Sequence, residues 1–301
     1  MSKTADSDDR RRFLGQAALS VTALTFLTPS SLFAHAGKQK IYTVEQIIDL
    51  ILKDGNLKPI ADTVDTIKSG RADQAVTGII TTMFATVSVI EQAVKLKANF
   101  IIAHEPTFYN HRDDPEWVKG NEVVKKKQAL LEKHKLAVWR FHDYCHSLRP
   151  DAIRYGVVKK AGWTQYYKND TAALTIPATT LGELVKHLKN KLDIQKLRIV
   201  GDLAQPCSKL AIMPGAAGGQ RQVSVAEAEK PDVLIVGETP EWEGVEYARD
   251  AGLLGSKMAL IVLGHAVSEE PGMEHFAEWL QPKISGIKVT HLASGDPFQW
   301  I

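Results

Sequence analysis

Four short apolar runs each end on a histidine or a carboxylate, and that repeated pattern constrains the fold more than any other feature of the chain. They are FIIAHE (Phe100 to Glu105), AVWRFHD (Ala137 to Asp143), VLIVGE (Val233 to Glu238) and ALIVLGH (Ala259 to His265). Each is too short for an ordinary helix and rich in β-branched residues, which predicts a buried strand. In open α/β sheets, ligands gather in the crevice beyond the carboxyl ends of the strands. The pattern therefore predicts that His104, Glu105, His142, Asp143, Glu238 and His265 meet in one place. Imidazoles and carboxylates together are the donor set of a divalent metal site.

The first 36 residues read as an address. Arg10, Arg11 and Arg12 lead into a weakly apolar run ending near Phe33, and Ala34-His35-Ala36 offers a small-x-small cleavage site. This is the order of a twin-arginine export signal, which implies a periplasmic or extracellular destination. Polar residues such as Gln16, Ser20 and Thr25 dilute the run and argue against a membrane anchor, so no membrane association is expected of the mature form. The whole chain carries a net charge of +2, and loss of residues 1–36 would leave +1. That balance gives no electrostatic reason to expect nucleic acid. Cys145 and Cys207 are the only cysteines. Two are too few for a disulfide scaffold, and buried thiols are expected, with a ligand role open for Cys145.

Beyond the signal, residues 37–301 read as one domain of two lobes. Apolar spacing predicts a helix from Thr43, then a strand in AVTGIITTMF, a helix capped by Thr86, FIIAHE, a helix over 117–133 and AVWRFHD. The Lys125-Lys126-Lys127 run in that helix reads as a solvated face. This β-α-β-α-β order predicts parallel strands. In the middle, TAALTIPA reads as a strand and Thr180-Leu-Gly-Glu183 as a capping box. LRIVGD and KLAIMPG are expected to pair with each other antiparallel. A helical piece over 225–230, VLIVGE, a helix around 242–251, ALIVLGH, a helix over 272–280 and the strand KVTHLAS close the chain. The expected class is α/β with α+β features: two related lobes with mixed sheets facing a shared metal site. One lobe is expected to combine 37–155 with 220–301, with 156–219 as a middle segment.

Three segments pair an imidazole with a carboxylate or a second imidazole. His104-Glu105 sit where a strand gives way to a loop. His142, Asp143 and His146 form H-D-x-x-H, with His142 and His146 on one face if the chain turns helically. His265 and Glu269 form H-x-x-x-E at the same spacing. His142, Asp143 and His146 compete for the mid-chain ligand position. Glu105, Asp143 and Glu238 are the candidates for handling protons. Ser268 reads as a helix cap or a donor behind a ligand, not a nucleophile. Gly215, Gly218 and Gly219 read as a turn or a close backbone approach to a ligand. Arg140 and Arg149 are open between gripping an anion and lying at the surface.

The collinear order of these motifs, with VTGIITT, LRIVGD and MPGAAGG between them, resembles the NGG-interacting-factor-three-like proteins from about Asp73 onward. These are dinuclear-metal-centre hexamers, some labelled GTP cyclohydrolase 1 type 2. By position, the resemblance implies His104, Glu105, His142, His146, His265 and Glu269 as metal ligands, with Glu269 bridging. Glu105 stands where the family has His, and His146 where it has Asp. The resemblance implies two divalent ions (Zn, Fe, Mn or Mg), a homohexameric ring and a small-molecule substrate. The functional expectation is a two-metal hydrolase acting on a phosphoester, amide or cyclic, nucleotide-like compound. The alternative is a metal-containing ring that binds a ligand or partner without turnover.

Overall fold

In the computed structural model, which describes residues 41–114, 116–299 and 301, each of the four apolar runs contains a four-residue strand with every residue buried. The export signal expected over 1–36 lies outside the described residues. The chain opens with helix α1 (Val44–Asp54), where Thr43 and Gln46 form a reciprocal capping box. Such a cap contributes about 1 kcal/mol. Strands β1 (Ile67–Ser69) and β2 (Ile79–Thr82) follow, then α2 (Val87–Lys95) and β3 (Phe100–Ala103). Helix α3 (Glu122–Lys133) begins five residues later than its periodicity predicts, because Asn121 caps it and Gly120 turns the chain at φ +88°. Strand β4 (Ala137–Arg140) leads to the short helix α4 (Asp143–Ser147) and to α5 (Ala152–Lys160).

The second half contains β5 (Ala173–Thr180), α6 (Leu181–Leu192), β6 (Arg198–Val200), β7 (Pro206–Met213), α7 (Gly219–Glu229) and β8 (Val233–Val236). It closes with α8 (Glu246–Leu253), β9 (Ala259–Val262), α9 (His265–Leu280) and β10 (Val289–His291). Two mixed five-stranded sheets result, ordered β1-β4-β3-β2-β10 and β5-β7-β8-β9-β6. Strands β10, β2, β3 and β4 run parallel in the first, and β7, β8 and β9 in the second. Antiparallel β1 edges the first sheet, and antiparallel β5 and β6 edge the second.

Two expectations are corrected by this topology. LRIVGD does not pair with KLAIMPG: β6 joins β9, and β7 joins β5 and β8. Fully buried β8 and β9 take the centre of the sheet beside β7 as parallel strands, which leaves β6 at the edge on β9. The lobe boundary moves for the same reason. VLIVGE and ALIVLGH belong to the sheet of the middle segment, and only α9 and β10 return to the first sheet.

Helix α9 ties the halves together. Its Met273, Phe276, Ala277 and Leu280 enter the core formed by Phe100, Ile102, Trp139 and Phe141. Phe276 lies 4.5 Å from Phe141, and Phe141 lies 4.9 Å from Trp139, between ring centroids. Such pairs add about 0.5–1.5 kcal/mol each beyond area burial. Thr81 Oγ1 donates to Met273 O at 3.0 Å. Gly156 of α5 sits against Gly272 of α9 so closely that a Cβ would come 2.4 Å from the Gly272 Cα.

Strand register then places the chemistry. Thr82, Ala103 and Arg140 are aligned across the first sheet, so Met83, His104 and Phe141 follow them at one edge. Met213, Val236 and Val262 are aligned in the second, so Gly215, Glu238 and His265 emerge together. Among the described residues, no helix is long and apolar enough to cross a membrane.

Candidate metal centre

His104 leaves β3 fully buried, and its Nδ1 lies 3.0 Å from the Phe141 carbonyl. A carbonyl only accepts, so Nδ1 carries the proton and Nε2 keeps its lone pair in the neutral ring. That Nε2 is buried without a hydrogen-bond partner. The same device recurs twice. His142 Nδ1 lies 3.0 Å from Asp143 Oδ1, and His146 Nδ1 lies 3.1 Å from Asp151 Oδ2. Anchoring one ring nitrogen on a carboxylate or carbonyl is how metal-ligating histidines are oriented. Donor atoms of the three histidines lie within 4.8 Å of one another, close enough to hold a metal ion.

Helix α4 sets the spacing of His142 and His146. His146 N donates to His142 O at 3.1 Å, closing the turn that puts both rings on one side. His142 provides no side-chain cap for this helix. Asp65 does so instead, accepting from His142 N at 2.7 Å, Asp143 N at 3.2 Å and Tyr144 N at 2.8 Å. Burial raises the Asp65 carboxyl pKa, and those three backbone donors oppose the rise. Nothing in local sequence spacing pointed to Asp65, which lies 77 positions before His142.

The second group is richer in carboxylates. Glu269 is 3% exposed, and its Oε2 stands 3.1 Å from His265 Nε2 and 3.5 Å from His104 Nε2. Glu105 Oε1 stands 3.5 Å from His265 Nε2 and 3.6 Å from His142 Nε2. Its Oε2 pairs with Arg140 Nη2 at 3.2 Å. His104, Glu105 and Glu269 form a second set with donor atoms within 4.8 Å.

These charges act strongly on one another. Burial opposes the Glu269 charge, yet His104 and His265 hold its carboxyl far below the usual range. Burial likewise opposes the His265 charge, but Glu105 and Glu269 lift it to about 10. His104 is also raised: burial opposes its charge, but the charge and hydrogen bonding of Glu269 and Cys145 together outweigh it. His142 moves the other way, to about 4, through burial and the neighbouring His104 charge. The two carboxylates draw positive charge toward themselves, a demand that a cation meets as readily as protons do.

Other residues take different places from those the sequence implied. Asp143 engages Oδ1 with His142 and Oδ2 with Thr63 Oγ1 and Val64 N, so it orients a histidine instead of presenting a free oxygen. Glu238 is 53% exposed and stands 3.5 Å from His265 Nδ1. Cys145 is fully buried, and burial pushes its thiol up to about 11 against the opposing effect of His104. Cys207 is a second buried free thiol. Arg140 is fully buried, so it neither grips a substrate nor lies at the surface. Arg149 is largely exposed and donates to its neighbours' carbonyls. The expected solvated lysine run is corrected at Lys127, which is 5% exposed and donates to Thr107 O at 2.7 Å.

The glycines of MPGAAGG make room for the cluster. At Gly215, φ is +67° and a Cβ would lie 1.8 Å from Glu269 Oε1. Gly215 N donates to Ser268 Oγ, which donates in turn to His265 O, so the Ser268 hydroxyl is buried and fully used. The cluster opens into a cavity of about 980 Å³ whose walls also carry Phe84, Tyr109, Arg154 and Arg221.

Known proteins share this arrangement of sequence and fold. The chain is 23% identical over 274 residues to the GTP cyclohydrolase 1 type 2 homolog of Clostridium perfringens, covering 87% of this chain and 98% of that protein. It is 25% identical over 248 residues to the protein of the same name from Clostridium acetobutylicum, covering 77% and 88%. Among solved structures, a Bacillus cereus protein related to NIF3 superposes with a TM-score of 0.71 at 16% identity, covering 87% of this chain and all of that one. Staphylococcus aureus protein SA1388 gives 0.70 at 19% identity, covering 86% and 99%. The family model described as Duf34/NIF3 (NGG1p interacting factor 3) matches residues 61–297, a span that holds both sheets and every donor named above, and the chain belongs to that family.

Proposed function

We propose that this pocket is the dinuclear metal centre of a hydrolase acting on a small molecule with a phosphoester, amide or cyclic, nucleotide-like bond. One observation carries the reading: three imidazoles, each anchored through Nδ1, have donor atoms within 4.8 Å of one another, with His104 and His142 Nε2 facing Glu269 and Glu105, beside a cavity large enough for a metabolite. His104, His142 and His146 would hold one ion, and Glu105, Glu269 and His265 the second. Ions so held lower the pKa of bound water and polarise the attacked bond. Glu105, whose carboxyl is kept low by His265 and the other imidazoles against the effect of burial, stays ionised as an acceptor at the centre. Glu238, half-exposed at the His265 ring, is placed to exchange protons between the pocket and solvent.

The twin-arginine sequence supports an exported enzyme, for which a nucleoside triphosphate is a poor substrate. The family resemblance supports a hexameric ring. The test is to purify the protein, measure bound metal, and screen phosphoester, nucleotide and amide substrates with and without chelator. Two metal equivalents with chelator-sensitive turnover support the hydrolase. Bound metal with no turnover across the screen rejects it in favour of a non-catalytic, metal-containing ring.

A further inference from the structure

The two ends of the metal pocket differ in chemistry and in readiness. At one end, His104, His142 and His146 bring three nitrogen donors, with Glu269 Oε2 3.5 Å from His104 Nε2. At the other, Glu105 and Glu269 bring two carboxylates to the single imidazole of His265. We propose that these are two cation sites of unlike kind: an all-imidazole site that fills first and selects a borderline cation of the zinc type, and a carboxylate-rich site that fills second and accepts a harder cation of the manganese type. The inference rests on the metal-centre reading above and extends it by giving each end its own cation.

Readiness favours the imidazole end. All three rings are already turned by their Nδ1 partners, and the contact of His104 Nε2 with Glu269 Oε2, at 3.5 Å, is longer than the 3.1 Å contact at His265. At the carboxylate end, His265 Nε2 and Glu269 Oε2 are in contact at 3.1 Å, and an ion must part them. Glu105 has only Oε1 to offer, since Oε2 is held by Arg140. The buried guanidinium also places a positive charge next to any cation bound there. Donor type points the same way: imidazole suits zinc-like ions, while carboxylate oxygen suits manganese and magnesium. Two carboxylate oxygens lie between the two sites: Glu269 Oε2, within 3.5 Å of His104 and His265 Nε2, and Glu105 Oε1, within 3.6 Å of His142 and His265 Nε2.

The experiment uses the metal-stripped full chain, titrated by calorimetry with Zn²⁺ and then with Mn²⁺, the latter also followed by electron paramagnetic resonance. One Zn²⁺ equivalent should bind at least about ten-fold more tightly than a second, and the one-zinc form should take up one Mn²⁺. His146→Asn, with His142→Gln as an independent check, should weaken the first zinc step at least about ten-fold and leave the manganese step in place. Glu105→Gln should do the converse. Urea unfolding of each metal-free variant establishes that it folds. Two zinc steps of equal affinity, a single equivalent in total, or equal weakening of both steps by both kinds of variant would overturn the proposal. Its fate is separable from that of the hydrolase. Unlike sites without turnover reject only the hydrolase, turnover with two like sites rejects only this inference, and no metal binding rejects both.

Discussion

Arg140 and Glu105 form a buried ion pair, Nη2 to Oε2 at 3.2 Å, with the guanidinium wholly out of solvent. Arg140 also donates through Nε to His104 O at 3.2 Å and through Nη1 to His111 O. One side chain thus holds the Glu105 carboxylate, the backbone of His104 and the loop beyond. Arg140→Met should destabilise the fold by about 3–5 kcal/mol, because it strands a buried charge. Arg140 Nη1 also stands 3.9 Å from Asp113 Oδ2, which would keep Lys68 at 4.0 Å, whereas Glu105 would keep only imidazoles. Adding Glu105→Gln should therefore recover at least about 1 kcal/mol by double-mutant cycle. Urea unfolding reads both effects, and a single variant within 1 kcal/mol of the parent sinks the account.

Gly215 is predicted to control Glu269 although it has no side chain to offer a metal. A Cβ there would overlap Glu269 Oε1, and the φ of +67° adds strain of roughly 1–2 kcal/mol for alanine. Gly215→Ala should leave a folded chain with a displaced Glu269. Its zinc content after equilibration should fall as far as that of Glu269→Gln. Full occupancy in either variant, measured by elemental analysis, contradicts the placement of Glu269 at the centre.

Asp151 joins two jobs that one substitution can separate. Its Oδ1 caps α5 through Ile153 N and Arg154 N, and its Oδ2 anchors His146. Asparagine also caps well, so Asp151→Asn should change stability by less than about 1 kcal/mol. With the cap oxygen retained, its amide nitrogen faces the His146 N–H, donor against donor, and the ring loses the tautomer that frees Nε2. Zinc affinity should fall about 10–100-fold. Calorimetry that finds unchanged affinity removes Asp151 from the centre.

The contrast between legible and illegible residues follows from range. FIIAHE and ALIVLGH announced their strands because both faces are buried, and H-x-x-x-E announced itself because one helical turn separates its members. Asp65 gave no such sign, since its partners are 77 to 79 positions away. The β6–β9 pairing is equally non-local, and edge strands carry little pattern of their own. Asp143 competed with His146 on paper because they lie within one turn. Only the direction of each side chain separates them, and Thr63, Val64 and Asp151 decide that direction.

Lys127 tests that point through pH. Burial lowers its ammonium from 10.5 to about 8, against the opposing charge of Asp113. Below pH 8 the group is charged in folded and unfolded chains alike, and the folded chain bears the desolvation. Between about pH 8 and 10.5 the folded chain has released the proton while the unfolded chain still binds it, so this residue's contribution to stability rises with pH. His265 works in the opposite sense in the metal-free protein. Its raised imidazole stabilises the fold below pH 6.5, and that contribution is lost as pH rises toward about 10. Comparing the parent with Lys127→Met cancels the histidine. Relative to the variant, the parent should gain about 2 kcal/mol across the Lys127 window in urea unfolding. A difference that stays flat with pH would show Lys127 to be an ordinary solvated lysine, as its neighbours Lys125 and Lys126 are.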